Sequence, residues 1–247
     1  YFKNMLEIKS LYKRFGNKKI IHNLDLIVDK AKRCTIIGPS GSGKSTILKL
    51  IVGILKPDKG HILIDGTDIT SLSIKELNEV RRDIGLLFQS AALFDSMTVF
   101  ENISFPLVEK RDLMSPYKIR QKVKSVLDMV EMVGHEDKFP EELSGGQRKR
   151  VGLARVLVTD PSFILYDEPT TGMDPILSTN IENLINKLSN ELSVTSIIVT
   201  HQLSTIFRTS DEIHYLCKGS LLDSETPTMI RESQHEIIRN FIKGGLS

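Results

Sequence analysis

The chain has 247 residues, 26% charged and 40% hydrophobic, and its 33 lysines and arginines against 31 acids give a net charge of +2. That length buries a large core within a single domain carrying an insertion, and the even charge balance leaves no footprint for nucleic acid or an anionic membrane surface. No apolar run approaches the roughly 20 residues that span a bilayer; residues 1–4 do not read as a signal peptide, with Met5 as the expected initiator; and two cysteines outside any CxxC pair, Cys34 and Cys217, fit a reducing cytosol rather than disulfides or zinc.

In chain order, Leu6 and Ile8, then Ile20, Leu24, Leu26 and Val28, recur roughly every second residue, which predicts half-buried antiparallel strands. Residues 34–37 form a short continuous apolar run. A helical pattern of Ile47, Leu48, Leu50, Ile51 and Ile54 follows Lys44. Ile62 and Ile64 lead into Asp65-Gly66, a hairpin turn. Further continuous runs at residues 84–88, 163–166 and 196–199 suit strands covered on both faces of a parallel sheet. Between Gln89 and Pro161 the strand signal disappears, and Val123, Val126, Leu127, Val130 and Val133 take helical spacing, so residues 91–160 read as a helical insertion. Pro175, after Asp174, opens a helix through Leu177, Ile181, Leu184, Ile185, Leu188 and Leu192. Residues 212–225 read as a hairpin turning at Lys218-Gly219, and a terminal helix covers residues 236–242. Strand–helix alternation of this kind means an α/β fold with a doubly wound sheet.

Gly38-Pro39-Ser40-Gly41-Ser42-Gly43-Lys44-Ser45, followed by Thr46, fits GxxxxGK[ST] and sits between an apolar strand and an apolar helix. Backbone N–H groups of such a loop turn inward around phosphate oxygens, Lys44 reaches the β- and γ-phosphates, and the Ser45 hydroxyl coordinates Mg²⁺. The run at residues 163–166 ends in Asp167-Glu168, at the edge where α/β sheets bind ligands. Beside a phosphate loop, Asp167 holds Mg²⁺ through a water and Glu168 orients and deprotonates the attacking water; without that loop the pair reads as solvated acids. Leu143-Ser144-Gly145-Gly146-Gln147 places a hydroxyl and free N–H groups at the start of another helix, a second anion site. One chain rarely needs two cradles for one phosphate, so this one serves the nucleotide of a partner subunit. The run Arg148-Lys149-Arg150 reads as a solvated helix face rather than a nucleic-acid contact. His22, His61, His135, His214 and His235 have no ligand spacing, and Cys34 reads as a small core residue.

These motifs, in this order, resemble the ATP-binding-cassette ATPases nearly end to end. The resemblance implies a P-loop NTPase (RecA-like) α/β core, residues 1–90 and 161–247, with an N-terminal antiparallel β subdomain. An inserted α-helical subdomain, residues 91–160, carries the signature. It implies a head-to-tail homodimer that closes on ATP and Mg²⁺. Each nucleotide then lies between residues 38–46 of one copy and Ser144, Gly145, Gly146 and Gln147 of the other. Phe15 looks like the aromatic that stacks on adenine, with a core aromatic as the alternative. Gln89 looks like the glutamine that touches Mg²⁺ and links the site to the membrane partner, and Asp174 like the aspartate that crosses the dimer interface. His201 looks like the histidine that senses γ-phosphate and holds Glu168. Separate membrane permease subunits would dock over residues 90–103, which otherwise pack the inserted helices, and would hold the chain at the cytoplasmic face of an inner membrane. Residues 88–102, Phe105-Pro106-Leu107 and the tail at 237–244 are most similar to the Mla-type branch, which moves phospholipid between membranes and adds an accessory protein and a lipid-carrying protein. A small-solute importer or a non-transport nucleotide-binding module are the alternatives.

Overall fold

A computed structural model describes residues 4–109, 114–222 and 224–244; the reading of residues 1–3 lies outside these. Strands β1 (Asn4–Phe15) and β2 (Lys18–Asp29) form a long antiparallel hairpin. β3 (Arg33–Ile37) runs through residues 38–43 into α1 (Lys44–Ile51). β4 (Lys59–Ile64) turns at Asp65 (φ 44°) and Gly66 (φ 79°) into β5 (Thr67–Asp68), the mirror-image turn that matches strand twist. α2 (Ile74–Arg81) and β6 (Ile84–Leu87) follow. The α-helices described between β6 and β7 (Phe163–Asp167) are α3 (Val99–Glu109), α4 (Pro116–Met129) and α5 (Gly145–Leu157). The chain closes with α6 (Pro175–Leu192), β8 (Thr195–Thr200), α7 (Leu203–Thr209), β9 (Glu212–Cys217), β10 (Ser220–Leu221) and α8 (Glu236–Gly244).

The strands form two sheets, an antiparallel one in the order β2-β1-β4-β5 and a larger one in the order β10-β9-β3-β8-β7-β6. In the larger sheet β9, β3, β8, β7 and β6 are parallel. Its strands β3, β7 and β8 are buried without alternation because helices or the second sheet cover both faces: Phe163, Ile164, Leu165 and Tyr166 are each at most 2% exposed. Burying each such side chain contributes about 1.5–3 kcal/mol. The hairpin at 212–225 therefore does more than pair with itself, since β9 also adds to the parallel sheet beside β3.

Two helices end earlier than their apolar spacing suggests. α1 stops at Ile51 because Gly53 takes a left-handed φ of 69°, which leaves Ile54 outside and 55% exposed. α4 stops at Met129, the backbone turns at Glu131 (φ 58°), and Val133 is 54% exposed instead of facing the core. Among the described residues no helix is long and apolar enough to cross a membrane.

Candidate active site

β3, β6, β7 and β8 end side by side, and the loops after them surround a cavity of about 420 Å³. It is lined by Ser40, Gly41, Gly43, Lys44, Ser45 and Thr46 from the loop after β3, by Gln89 after β6, by Glu168 and Thr171 after β7, by His201 after β8, and by Ile20 of β2. The loop packs so closely on β2 that a Cβ on Gly43, whose φ is 110°, would lie 2.8 Å from Ile20 Cγ2. Only glycine fits there. Lys44 is 6% exposed and donates to the carbonyls of Gly38 (2.9 Å) and Pro39 (3.2 Å). The Ser42 hydroxyl is buried in this loop without a hydrogen-bond partner, so the loop offers an unused polar group to an anion.

The two acids point apart. The Ser45 hydroxyl donates to Asp167 Oδ1 at 2.8 Å, so these two candidate oxygen ligands already meet. With Gln89 on the same cavity, the donor set is oxygen-rich and suits a hard divalent cation. Burial, with Glu168 adding to it, raises the Asp167 carboxyl above its ordinary value against the hydrogen bond from Ser45. Glu168 adopts a left-handed φ of 48°, a strain of about 1 kcal/mol or more for a side chain with a Cβ. That turn aims its carboxylate at His201. His201 Nδ1 stands 2.9 Å from Oε1, Thr171 donates to Oε2 at 2.9 Å, and Lys44 Nζ lies 3.5 Å from Oε1. A carboxylate only accepts, so the His201 proton sits on Nδ1. Burial alone would raise Glu168, but the His201 and Thr171 hydrogen bonds and the charges of His201 and Lys44 outweigh it and hold the carboxyl below the glutamate value.

Phe15, Asp174 and the residues of the second anion site lie outside that cavity. Phe15 ends β1 and is 48% exposed, so it is no core aromatic. Asp174 caps α6, accepting from Ile176 and Leu177 N–H at 2.9 Å each. Ser144 and Gln147 cap α5 reciprocally: Gln147 N–H donates to Ser144 Oγ and Ser144 N–H to Gln147 Oε1. Gly145 has no positive φ, and a Cβ there would meet nothing within 4 Å. At Gly146 it would make only ordinary contact with Leu177, at 3.4 Å. Among the described residues nothing within 4 Å requires glycine at 145.

One expectation fails at residues 148–150. Arg148 is exposed, but Lys149 is 6% exposed and reaches toward the Phe88 carbonyl (3.4 Å), because the helical turn places it on the inner face with Gly146 and Leu153. Burial pushes its pKa down to about 8, although Asp167 and Glu168 pull it back up. A lysine with a lowered folded pKa costs stability below that value, and the cost is relieved as pH rises from about 8 to 10.5. Lys149→Met is therefore expected to be the more stable chain at pH 7, by on the order of 1 kcal/mol once solvent screening is allowed for. That gap should narrow as pH climbs through 8. Urea unfolding of both chains at pH 7 and pH 10 measures it; a gap that ignores pH contradicts the buried charge. Thr171 was also not legible as a partner of Glu168. A further group, Cys34, Glu212 and His214, brings ligand atoms within 4.8 Å of one another across β3 and β9, which sequence spacing did not foresee. Burial and the Glu212 charge push the Cys34 thiol above its ordinary value.

A glycine-rich loop after β3, a glutamate held by a histidine, and a capped helix start outside the cavity are now in place. Residues 21–171 match the family model described as "ABC transporter". The chain belongs to the ABC transporter family. It is 42% identical over 98% of its length to the intermembrane phospholipid transport ATP-binding protein MlaF of Haemophilus influenzae, covering 91% of that protein. It is 39% identical over 97% of its length to the Fe(3+) ions import ATP-binding protein FbpC of Photorhabdus laumondii, of which it spans 66%. The fold matches the MJ0796 cassette in a dimeric post-hydrolysis state with ADP and Pi (TM-score 0.82, 34% identity, 90% of this chain and 99% of that one). It also matches cbiO1 of Clostridium perfringens, part of a cbiONQ transporter complex (TM-score 0.86, 28% identity, 98% and 96%). The chain is thus an ABC-type ATPase domain with a RecA-like α/β core, an antiparallel β subdomain and inserted helices.

Proposed function

We propose that the chain is the ATP-hydrolysing, nucleotide-binding subunit of a transporter, working as a homodimer that closes around two ATP and drives separate permease subunits. In this reading residues 1–90 and 161–247 are the core with its β subdomain, and residues 91–160 are the inserted helical subdomain. Gly145 carries it: a glycine with open space around it, at a helix start outside the nucleotide cavity, is explained by the close approach of a second copy's phosphate. Each ATP then rests on Gly38, Pro39, Ser40, Gly41, Ser42, Gly43, Lys44, Ser45 and Thr46 of one subunit and on Ser144, Gly145, Gly146 and Gln147 of the other. Phe15 stacks on the base and Asp174 faces the partner. Mg²⁺, when bound by Ser45, Asp167 and Gln89, neutralises phosphate charge. Glu168 takes the proton of the attacking water while His201 holds it in line, and Lys44 and the loop N–H groups stabilise charge on the transferred phosphoryl.

For cargo we favour phospholipid moved between membranes, on the likeness to MlaF and on the segment at 88–107; an accessory protein and a lipid carrier belong to the same reading, with the ATPase held at the inner membrane through its permease. A small-solute importer is the second reading, supported by the similarity to FbpC. Purifying the chain with its membrane partners and identifying bound molecules by mass spectrometry separates the two. Phospholipid that leaves the complex on ATP addition supports the first. ATP-driven uptake of a small solute without lipid exchange supports the second.

A further inference from the structure

Glu182 is the described acid with no exposed surface: it lies on α6 at 0% exposure, outside the nucleotide cavity. Its Oε1 accepts from Ser204 Oγ (2.9 Å) and Thr205 Oγ1 (2.8 Å), both on α7, and Arg208 Nε lies 3.4 Å from Oε2. A buried carboxylate is retained only with such partners, and removing one end is costly. Two hydroxyl donors and one ion pair could serve packing alone, but the contacts continue. Thr205 Oγ1 meets Thr170 Oγ1 at 2.7 Å, Thr170 Oγ1 donates to Gln202 Oε1 at 2.9 Å, and Gln202 Nε2 lies 3.5 Å from the Thr170 carbonyl. Thr170, like Thr205, is fully buried.

Each threonine hydroxyl has one hydrogen. Thr170 gives its hydrogen to Gln202 Oε1, so Thr205 shares its single hydrogen between Glu182 Oε1 and Thr170 Oγ1. The charge on Glu182 thereby competes for the one hydrogen that ties Thr205 to Thr170. Thr170 lies two residues from Glu168 and next to Thr171, which holds it; Gln202 follows His201, and its own N–H is held by Thr200 Oγ1 at 3.1 Å. The row joins the loop bearing the catalytic carboxylate to the loop bearing the histidine.

We propose that Glu182 is a positioning residue for ATP hydrolysis, acting through Thr205, Thr170 and Gln202 to keep His201 and Glu168 in register. This rests on the assignment of Glu168 and His201 above. The full chain is tested as Glu182→Gln, Thr205→Val, Thr205→Ser and Glu182→Gln/Thr205→Val. Glu182→Gln and Thr205→Val should each lower kcat about tenfold, the scale of one buried charge-assisted hydrogen bond, and leave KM within about twofold. Thr205→Ser, which keeps the hydroxyl, should hydrolyse at the parental rate, and the double variant should fall no further than either single. Amide hydrogen exchange at residues 200–202 should speed up in Glu182→Gln but not in Thr205→Ser. Unchanged kcat, additive losses, or a loss that tracks the melting temperature and KM overturns the proposal. Parental hydrolysis by Glu168→Gln, with Glu182→Gln still slow, would instead overturn the assignment of the base.

Discussion

Glu168→Gln is expected to slow ATP hydrolysis about a hundredfold or more while ATP binding stays within about twofold of the parent. Glutamine keeps the shape of the side chain, and its one carbonyl oxygen can still accept from either His201 Nδ1 or Thr171 Oγ1, which bond different oxygens of Glu168. It cannot take a proton, and it removes the charge 3.5 Å from Lys44. The loop that grips phosphate is left intact, so binding energy persists while turnover stops. Dimer held together by unhydrolysed nucleotide should therefore accumulate, to be read by size-exclusion chromatography with light scattering in ATP and magnesium. Equilibrium nucleotide binding and single-turnover hydrolysis give the other two numbers. Hydrolysis at the parental rate would remove Glu168 from its role, and a purely monomeric Glu168→Gln chain under ATP would remove the dimer.

The second large effect is at Gly145. Gly145→Asp should fold and melt as the parent does, because the new side chain has open space and a carboxylate at the first turn of α5 suits the helix dipole. Hydrolysis should nevertheless fall about a hundredfold or more, since that carboxylate occupies the place offered to phosphate. The test is complementation. Lys44→Ala loses the grip of the phosphate loop and Gly145→Asp loses the clamp, yet a mixed pair still contains one complete site. Mixing two dead chains in equal amounts should restore roughly a quarter of the parental rate, because half the pairs are mixed and each has one of two sites. No recovery on mixing, with mixed pairs demonstrated, would mean that both halves of the site come from one chain.

Residues that act as contiguous strings were legible in the sequence. The loop at 38–45, the acid pair at 167–168 and the pentapeptide at 143–147 each gather their candidate groups within a few positions, and the apolar runs before the first two announce covered parallel strands. What was not legible depends on partners far away. α2 has a capping box, Ser73 with Glu76, but buries only Leu77, so its apolar periodicity is faint. Lys149 sits between two arginines, and only its spacing from Gly146 and Leu153 hinted that it points inward. The row from Glu182 to Gln202 joins residues 23, 35 and 32 positions apart, and no single-sequence pattern reports such pairings.

The place of β3 in its sheet has a consequence for how the protein is made. This strand leads into the phosphate loop, and both its neighbours come late in the chain: β8 at Thr195–Thr200 and β9 at Glu212–Cys217. The turn after β9 then ties down β2, through Gly219 O accepting from His22 N–H and Ser220 Oγ donating to His22 O. A nascent chain still on the ribosome holds the apolar strand at 33–37 without partners until most of its length has been translated. Such long-range pairing is slow and exposes sticky surface while it waits. Ordering of the strand that leads into residues 38–43 therefore waits on residues 195–217, more than 150 positions further along.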